Sequence, residues 1–548
     1  MVAADATHEV TNQPPPLTGY DVFRADAALV EGVTRAGGGG RLDEISEIGL
    51  RAGSPEAQEW ARQANRNPPE LRTHDRYGNR VDVVEYHPAY HRLMATAIGH
   101  GLHAAPWADD GSAPHTARAA KVISWYQADG GHVCPISMTY SVVPALRHES
   151  ALADDLIPRL TSREYDGTNA PLEGKAGITA GMAMTEKQGG SDVRANTTVA
   201  SPIGTGDEYR ITGHKWFCSA PMSDGFLMLA NAPGGLSCFW VPRWTPDGGR
   251  NPIRIQRLKD KLGDRSNASS EIEMRDVWGA RVGAEGRGVR TIIEMVNHTR
   301  LDCVLGSTAI MRQGVAQATW HTHHRSAFGR PLDQQQLMAN VLADLAVESE
   351  AATLAAMRLA QCFDMMSSDE HASLLARLLT PVVKYWTCKR APQHAAESLE
   401  CLGGAGYVEE SDLPRLFRQS PLNGVWEGSG NVICLDVLRA IMREPLALDA
   451  YWAEVGLGLG ADARLDDAAT ALQKGLTDLG DAESRARRIV ERLALVFQAS
   501  LIVRHSTPEI ADAFCASRLD DGGGRVFGTL PTGLSLEPIV ERARPVVN

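Results

Sequence analysis

In the stretch from Val425 to Ala440, the carboxylate of Glu427 lies between a tryptophan and a Gly-Ser-Gly turn. Glycine permits close backbone approach, and the N-terminus of a helix favours anions. The turn, with Ser429 at its centre, therefore predicts contact with a phosphate-bearing ligand. A carboxylate sheltered by such a turn is a candidate general base. Considered alone, the same residues also fit a capped helix that begins near Asn431.

A second polar segment, Gly181 to Ala200, concentrates hydroxyl groups around a double glycine. Thr185 and Ser191 flank Gly189 and Gly190. Hydroxyls and open backbone groups of this kind can surround the phosphates and polyol of a cofactor. A polar loop that joins two domains explains the composition equally well.

Trp216 lies in His214 to Ser219, at the end of a predicted strand. Its indole offers a face on which a flat heterocycle can stack. The alternative is a tryptophan of the β-domain core, which is the commoner role of a single aromatic residue in a strand.

Two further segments have both a cofactor-binding and a structural interpretation. Arg325, followed by Phe328 and Gln336, suits a pyrophosphate by charge and fork geometry. It also fits a solvated helix end. The double glycine at Gly403 and Gly404 follows an apolar helical run, where it is either a C-cap or a second cofactor wall.

The histidines His321, His323 and His324 are too few on one helix face to predict a metal site, so we expect no metal. The sequence has no dinucleotide-binding G-x-G-x-x-G after a strand, no Walker loop, no G-x-S-x-G and no H-E-x-x-H. These absences exclude the commonest nucleotide and hydrolase templates.

The segments that must position these residues change character along the chain. The pattern predicts an α+β multidomain protein with an N-terminal α-helical domain (1–180) and a middle β-domain of sandwich or barrel type (181–288). A C-terminal four-helix bundle (289–444) and an additional helical domain (445–548) follow.

Three local predictions depend on turn chemistry and periodicity. Asn67-Pro68-Pro69 predicts a helix start, and the glycine-rich segment at 35–44 predicts a loop or linker. Around residues 337–345 an apolar stripe predicts a helix whose other side carries Asp344 and Glu348.

Composition sets the class of protein. The chain has 548 residues, of which 43% are hydrophobic and 22% charged, with a formal net charge of −12. This is ordinary for a globular protein and does not favour a general coat on nucleic acid or on a membrane surface. The nine scattered cysteines and the absence of a signal-like start or long apolar run predict a cytoplasmic protein.

In this order and at these distances, the motifs resemble the acyl-CoA dehydrogenase family. The closer match is its AidB-type branch, flavoproteins of the adaptive response to alkylation damage. The strings that carry the resemblance are TNQPPPL, NPPEL, MTEKQGGSDV, RLKDKLGDRSNAS and WEGSGNV. It covers nearly everything from Thr11 to about Arg443.

The resemblance implies FAD bound noncovalently at the junction of the domains of a homotetramer, where Arg325, Phe328 and Gln336 reach a neighbour's FAD. The implied cofactor-binding residues are Met182, Met184, Thr185, Gly190, Ser191, Trp216, Phe217, Cys218, Arg325, Phe328, Gln336, Gly403, Gly404, Trp426, Gly428, Ser429 and Asn431.

The reaction implied by the resemblance is α,β-dehydrogenation of an acyl-CoA thioester. Glu427 takes the α-proton while a β-hydride passes to flavin N5, in a site that excludes water. Arg300 matches the family's position near bound substrate or CoA.

Where the family pattern has Trp-Ile-Thr-Asn, this chain has Trp216-Phe217-Cys218-Ser219, and it departs at two further positions. Cys218 replaces the threonine whose hydroxyl bonds flavin N5, and a thiol is a weak donor. Trp426 replaces the tyrosine before the base and narrows the expected acyl channel, and Glu400 replaces a glutamine. Efficient turnover of ordinary fatty acyl-CoAs is therefore not implied.

The branch also carries an added helical domain thought to bind double-stranded DNA. Pro445 to Asn548 holds eleven Arg or Lys and fifteen Asp or Glu, a poor composition for neutralising phosphates. A basic stripe is still possible from Arg439, Arg443, Arg485, Arg488 and Arg492. The alternative is a solvated helix face.

Three hypotheses remain. The first is an FAD-containing acyl-CoA dehydrogenase-like oxidoreductase of weak activity, and the second is a flavin-stabilised DNA-binding protein in alkylation protection whose dehydrogenase activity is largely vestigial. The third is an acyl-CoA oxidase-like enzyme, which would release hydrogen peroxide.

Overall fold

The structure is a computed structural model that describes residues 7–478, 480–520 and 522–547. The chain forms two compact units. The first unit comprises Met1–Ser54, Ser307–Gly424 and Ile433–Asn548, and the second comprises Pro55–Gly306 and Val425–Val432. The predicted combination of helical and β domains is confirmed. The boundaries of the four predicted domains remain a prediction, since the two units divide the chain differently.

The α-helices are α1 (Ala27–Val33), α2 (Leu42–Ala52), α3 (Pro55–Arg66), α4 (Pro88–Gly99), α5 (Pro114–Tyr126), α6 (Val133–Leu146), α7 (Ser150–Leu160), α8 (Gly288–His324), α9 (Gln336–Met365), α10 (Glu370–Cys401), α11 (Gly404–Tyr407), α12 (Leu413–Gln419), α13 (Gly430–Arg443), α14 (Pro445–Gly456), α15 (Ala463–Leu476), α16 (Ala482–His505), α17 (Pro508–Phe514) and α18 (Glu537–Ala543).

The strands are β1 (Glu70–His74), β2 (Arg80–Glu85), β3 (Ala180–Ala183), β4 (Val199–Pro202), β5 (Glu208–Ser219), β6 (Gly225–Ala232), β7 (Gly235–Pro242), β8 (Ile253–Leu258), β9 (Ser269–Val282), β10 (Ser326–Ala327) and β11 (Arg330–Pro331).

The second unit is built on a seven-stranded sheet with the order β3-β6-β4-β5-β9-β7, in which β8 pairs with β9. A further pairing of β6 with β7 closes the path into a ring. Strand β6 is buried on both faces. Phe226 and Met228 pack into one core cluster, while Leu227 and Leu229 pack into another that includes residues of α6 and α8. This alternation explains why the strand is almost wholly apolar.

The prediction of a helix at Asn67-Pro68-Pro69 is wrong. The two prolines precede β1, which pairs antiparallel with β2 in a hairpin. A proline disfavours helical conformation in the residue before it, so this segment is extended. The glycine-rich run is also not a simple loop, because Thr34–Gly38 forms a π-helical turn and Gly39–Arg41 a 3₁₀ turn before α2.

In the first unit, α9 is a long helix as predicted, but its charged side is not solvated. Asp344 and Glu348 are 1% and 2% exposed. Arg518, from the C-terminal region, donates hydrogen bonds to both carboxylates, and the Gly528 N–H donates to Asp344 across 2.9 Å. Leu337 of the predicted apolar stripe is 85% exposed. The C-terminal segment that contains Arg518 and Gly528 therefore covers the polar side of α9.

Candidate functional site

Glu427 lies in a strained turn immediately before helix α13. Its φ of +56° falls in the left-handed region, and that of Gly428 is +108°. For a residue other than glycine such a conformation costs about 1–3 kcal/mol, and it occurs most often at functional sites. The side chain is half-buried, and the helix begins at Gly430, as the Gly-Ser-Gly turn predicts.

Two consecutive residues of α8 hold this turn. The hydroxyl of Thr299 donates to Oε2 of Glu427 at 2.6 Å, and Nε of Arg300 donates to the Glu427 carbonyl oxygen at 3.0 Å. Thr299 and Arg300 are 4% and 6% exposed. Arg300, which we expected near substrate or CoA, is therefore a buried residue that supports the backbone of the turn.

A buried polar cluster fixes α8 beside these contacts. Asp302 accepts two hydrogen bonds from Arg118, at 2.6 and 2.7 Å, and the Arg118 guanidinium lies 3.3 Å from the Tyr140 ring centroid. The Tyr140 hydroxyl lies 2.8 Å from Nδ1 of His115. Burial lowers the pKa of His298 to about 4, so this neighbour is neutral at pH 7. The cluster anchors the part of α8 that contacts Glu427.

The buried carboxylate of Glu186 holds the loop between β3 and β4 in its conformation. Glu186 accepts hydrogen bonds from the backbone N–H groups of Thr197 and Thr198 at 2.7 and 3.1 Å. It also forms a 3.0 Å ion pair with Lys215 of β5, and both side chains are 0% exposed. Because the carboxylate joins both ends of the loop to the sheet, it sets the conformation of the residues between them.

The predicted contact residues of this loop are accessible. Met182, Met184 and Thr185 are half-buried, while Gly190 and Ser191 are exposed. The backbone of the loop is joined to the sheet at one further point, since the Trp216 N–H donates to the Thr185 carbonyl at 2.8 Å.

Three consecutive residues of β5 have different surroundings. Trp216 is half-buried, with Nζ of Lys259 lying 3.4 Å from its ring centroid, and Phe217 is 50% exposed. Cys218 is 1% exposed within the core of the sheet. The pairing of β5 with β9 has a register shift between Lys215 and Cys218. This shift interrupts the regular alternation of side chains between the two faces of the sheet. Contact of the Cys218 thiol with a cofactor, as we expected, would require these core residues to move.

Trp426 and two methionines of the loop contact the same apolar core. Met182, Met184 and Trp426 all pack against one buried cluster that includes Val142 and Leu227. The candidate base, its adjoining tryptophan and the loop of hydroxyl groups thus belong to the same unit. The remaining turn residues Gly428, Ser429 and Asn431 flank the carboxylate, and Ser429 and Asn431 are exposed.

The other predicted cofactor residues belong to the first unit. Arg325 donates to the carbonyl of Asn12 at 2.6 Å, so the TNQPPPL segment is part of this loop. Phe328 is 97% exposed with a φ of +53°. Gln336 is the first residue of α9, and Gly403 and Gly404 are exposed at the start of α11.

The predicted basic stripe is only partly accessible. Arg439, Arg443, Arg488 and Arg492 are exposed. Arg485 instead donates to Asp481 at 2.7 Å and to the Asp478 carbonyl at 2.6 Å, which ties it to the turn before α16.

Sequence reasoning missed Thr299, Glu186 and Lys215. Thr299 could have been identified from the sequence, because it immediately precedes Arg300, which was already a candidate. No local pattern marks the Glu186–Lys215 pair, whose members are 29 residues apart. Within the described ranges, no group of three or more His, Cys, Asp or Glu residues is placed to hold a metal ion, and no helix is long and apolar enough to cross a membrane.

Comparison with known proteins agrees with this architecture. Family profiles match the AidB N-terminal domain over residues 12–167, the acyl-CoA dehydrogenase middle domain over 181–277 and its C-terminal domain over 286–442. AidB of Escherichia coli (strain K12) is 45% identical over 520 residues, which cover 94% of this chain and 95% of AidB.

Two comparisons with Caenorhabditis elegans proteins extend the result. Acyl-CoA dehydrogenase family member 11 is 31% identical over 504 residues, which cover 85% of this chain and 80% of the relative. The crystal structure of ACDH-11 in complex with C11-CoA has a TM-score of 0.86 at 28% identity, and the match covers 95% of this chain and 96% of that one.

The chain belongs to the acyl-CoA dehydrogenase family, in the branch that has the AidB N-terminal domain. It is an acyl-CoA dehydrogenase-like enzyme, and its cofactor is FAD, because members of the family depend on FAD.

The residues of the second unit suit such a cofactor. The loop backbone is open at Gly189, where an added Cβ would meet nothing within 4 Å, and the Ser191 hydroxyl is exposed. Phe217 supplies accessible aromatic surface, and Trp216 is half-buried with Lys259 over one face of its ring. Aromatic faces with nearby polar donors are the combination that a flat ring with polar edges requires.

Proposed function

We propose that this enzyme oxidises an acyl-CoA thioester and that Glu427 is the general base that removes the α-proton. One observation carries the proposal. A carboxylate in a strained turn is oriented by a 2.6 Å hydrogen bond from Thr299 and by a 3.0 Å bond from Arg300 to its carbonyl. Positioning of this kind is what proton transfer at carbon requires.

The chain's own residues bind and shelter the reacting carbon in this proposal. Bound FAD supplies the two-electron oxidising capacity that desaturation needs. In this proposal Met182, Met184 and Trp426, which pack against the same buried apolar cluster, exclude water from the carboxylate. Glu427 receives the α-proton on its carboxylate, while the hydrogen bond from Thr299 keeps the group from rotating away.

Except for Cys218, which lies in the core of the sheet, the predicted cofactor-binding residues keep their roles as part of this proposal. We assign the loop Met182–Ser191, the aromatic residues Trp216 and Phe217 and the turn Gly428–Asn431 to FAD. The proposal also includes Arg325, Phe328, Gln336, Gly403 and Gly404 of the first unit.

A medium-chain acyl-CoA is the first substrate to test, because the related C. elegans structure contains C11-CoA. Purified protein with bound FAD is titrated anaerobically with C4 to C12 acyl-CoAs while the flavin absorbance is followed. Bleaching is expected with the wild type and is lost in Glu427→Gln. Glu294→Gln, a half-buried glutamate of α8, is the matched control.

A flavin that stays oxidised with every acyl-CoA contradicts the proposed activity. Retained bleaching in Glu427→Gln would instead exclude this residue as the base. Oxygen consumption with release of hydrogen peroxide would identify the oxidase-like alternative.

We also propose a homotetramer, supported by two accessible apolar residues. Phe328 and Leu337, at the ends of the segment that joins β10 to α9, are 97% and 85% exposed. Phe328→Glu should yield smaller species in analytical ultracentrifugation and lose FAD. Tyr77→Glu, at a residue 79% exposed in the β1–β2 hairpin, should do neither. An unchanged tetramer in Phe328→Glu would remove this support.

Double-stranded DNA binding in the adaptive response to alkylation is the second candidate function. Its support is the set of exposed arginines at 439, 443, 488 and 492, together with the similarity to AidB. Duplex binding should weaken with salt and be lost in Arg439→Ala and Arg488→Ala. Arg485→Ala should bind normally, because Arg485 is bonded to Asp481. A cytoplasmic location, proposed from the nine free and buried cysteines, suits both functions.

A further inference from the structure

A cavity of about 220 Å³ lies within the first unit, apart from every residue assigned above. Its walls come from the segment after α1, from α9, from α14 and its C-terminal end, and from the end of α16. Leu354, Met357 and Leu501 line it and are 2%, 2% and 1% exposed. The cavity therefore has an apolar wall that belongs to the core of the unit.

Three of the six polar residues that line this cavity are arginines. Arg358 and Arg504 each donate to Glu454, both across 2.7 Å, and Glu454 is 3% exposed. Arg35 is exposed and donates to the His505 carbonyl at 3.4 Å. The cavity thus holds three arginines and one carboxylate.

The arginines have hydrogen-bonding capacity beyond these contacts. Arg504 uses Nε for the Ser500 carbonyl and one terminal nitrogen for Glu454. A guanidinium carries five N–H donors. Within the described ranges, no carboxylate lies at salt-bridge distance from Arg35, and no acceptor is found for the second terminal nitrogen of Arg504.

Neighbouring carboxylates offset part of this positive charge. Glu31 and Glu350 act electrostatically on Arg35 and share Arg542 as their ion-pair partner. Together with Glu454, they leave the four arginines of this region (Arg35, Arg358, Arg504 and Arg542) with one net positive charge. Burial, together with Arg35 and Arg504, lowers the pKa of His505 to about 4, so His505 is neutral at pH 7. Arg504 repels the exposed Arg35 electrostatically, and a bound anion relieves that repulsion.

We propose that this cavity binds a short aliphatic carboxylate, with its tail against Leu354, Met357 and Leu501 and its carboxylate on Arg35 and Arg504. Size agrees with this assignment. A 150 Å³ cavity holds benzene, so about 220 Å³ accommodates on the order of nine non-hydrogen atoms. Hexanoate, which has about eight non-hydrogen atoms, is a suitable probe. The planar fork of arginine matches a carboxylate in two hydrogen bonds.

The test uses the full chain with FAD bound and isothermal titration with hexanoate. Hexan-1-ol carries the same tail without charge, while hexyl phosphate and inorganic phosphate test a phosphate ligand. Hexanoate is expected to bind at least tenfold more tightly than hexanol or inorganic phosphate. Tighter binding of hexyl phosphate than hexanoate would overturn the carboxylate assignment.

Two substitutions locate the site. Arg35→Gln removes the exposed guanidinium and should weaken hexanoate binding at least tenfold, whereas Arg525→Gln, at an exposed arginine outside the cavity, should not. Ala36→Phe places a ring at the cavity wall and should abolish binding. The Arg35→Gln and Ala36→Phe proteins should unfold at the same temperature as the wild type. Glu427→Gln should bind hexanoate normally, which distinguishes this cavity from the proposed active site.

Binding that survives both Arg35→Gln and Ala36→Phe in folded protein overturns the proposal. So does hexanoate binding that disappears in Glu427→Gln, because the carboxylate would then occupy the acyl-CoA site. Equal affinities for hexanoate and hexan-1-ol would show that the arginines have no role.

Discussion

The hydroxyl of Thr299 and the carboxylate of Glu427 are joined by a 2.6 Å hydrogen bond across 128 residues of sequence. The bond fixes the carboxylate in a turn whose backbone is already strained, at a φ of +56°. Arg300, the next residue of α8, holds the carbonyl oxygen of the same glutamate. One turn of a helix thus supports both the side chain and the backbone of the candidate base.

Removal of the Thr299 hydroxyl should therefore impair the proposed reaction. In Thr299→Val, kcat/KM for the best acyl-CoA should fall about 10- to 100-fold, because a hydrogen bond to a charged group contributes about 1.5–3 kcal/mol. FAD content should not change. Thr299→Ser should restore most of the rate, and Thr291→Val, on the same helix, should leave it unchanged. A normal rate in Thr299→Val would show that the bond does not orient the base.

The Glu186–Lys215 pair should control both stability and FAD retention. Glu186→Gln leaves the Lys215 ammonium buried without its counter-charge, which typically costs about 3–5 kcal/mol. The free energy of urea unfolding should fall by that amount, and FAD should dissociate faster because the loop loses its link to β5. Glu208→Gln, at an exposed position of the same strand, is the control. A lower free energy of unfolding without faster FAD loss would show that the conformation of the loop does not control cofactor binding.

Attachment of the C-terminal segment to α9 should weaken in acid. Burial favours protonation of Glu348, but the guanidinium groups of Arg390 and Arg518 outweigh it and lower its pKa to about 2, from 4.5. A carboxylate with a depressed pKa contributes its full stabilisation above pH 4.5, and this is lost as the pH falls toward 2. Hydrogen exchange of residues 515–530 should therefore accelerate, relative to the intrinsic rate, between pH 5 and pH 3.

Arg518→Met should produce a comparable loss at neutral pH. Asp344 and Glu348 would remain buried without Arg518, at a cost of about 3–5 kcal/mol. Arg492→Met, at an exposed arginine of α16, should have little effect. Unchanged protection of residues 515–530 in Arg518→Met would show that apolar contacts alone hold the segment.

Cys218→Thr tests which way this side chain faces. Burial raises the pKa of the thiol to about 12, so at neutral pH the group is an uncharged part of the core. A hydroxyl there should reduce the free energy of unfolding by about 1–3 kcal/mol and leave the flavin spectrum unchanged. Cys238→Thr, in the second core cluster, should behave in the same way. A changed flavin spectrum or potential in Cys218→Thr alone would place the side chain against FAD.

The sequence by itself determined the elements and the order of the chemical groups. The short segments of strand character between Glu208 and Val277 predicted a β-domain, the Gly-Ser-Gly turn predicted the start of α13, and Glu427 was identified as the candidate base. These features depend on short-range periodicity and on the conformational preferences of glycine, which the local sequence contains.

Only the tertiary structure decided which faces are covered and which distant groups meet. Periodicity places Asp344 and Glu348 on one side of α9, but Arg518 and Gly528 determine that this side is buried. A register shift in β5 determines that Cys218 faces the core. The partners of Glu427 and Glu186 come from distant parts of the chain. Such pairings arise from packing between elements, and local sequence periodicity does not specify them.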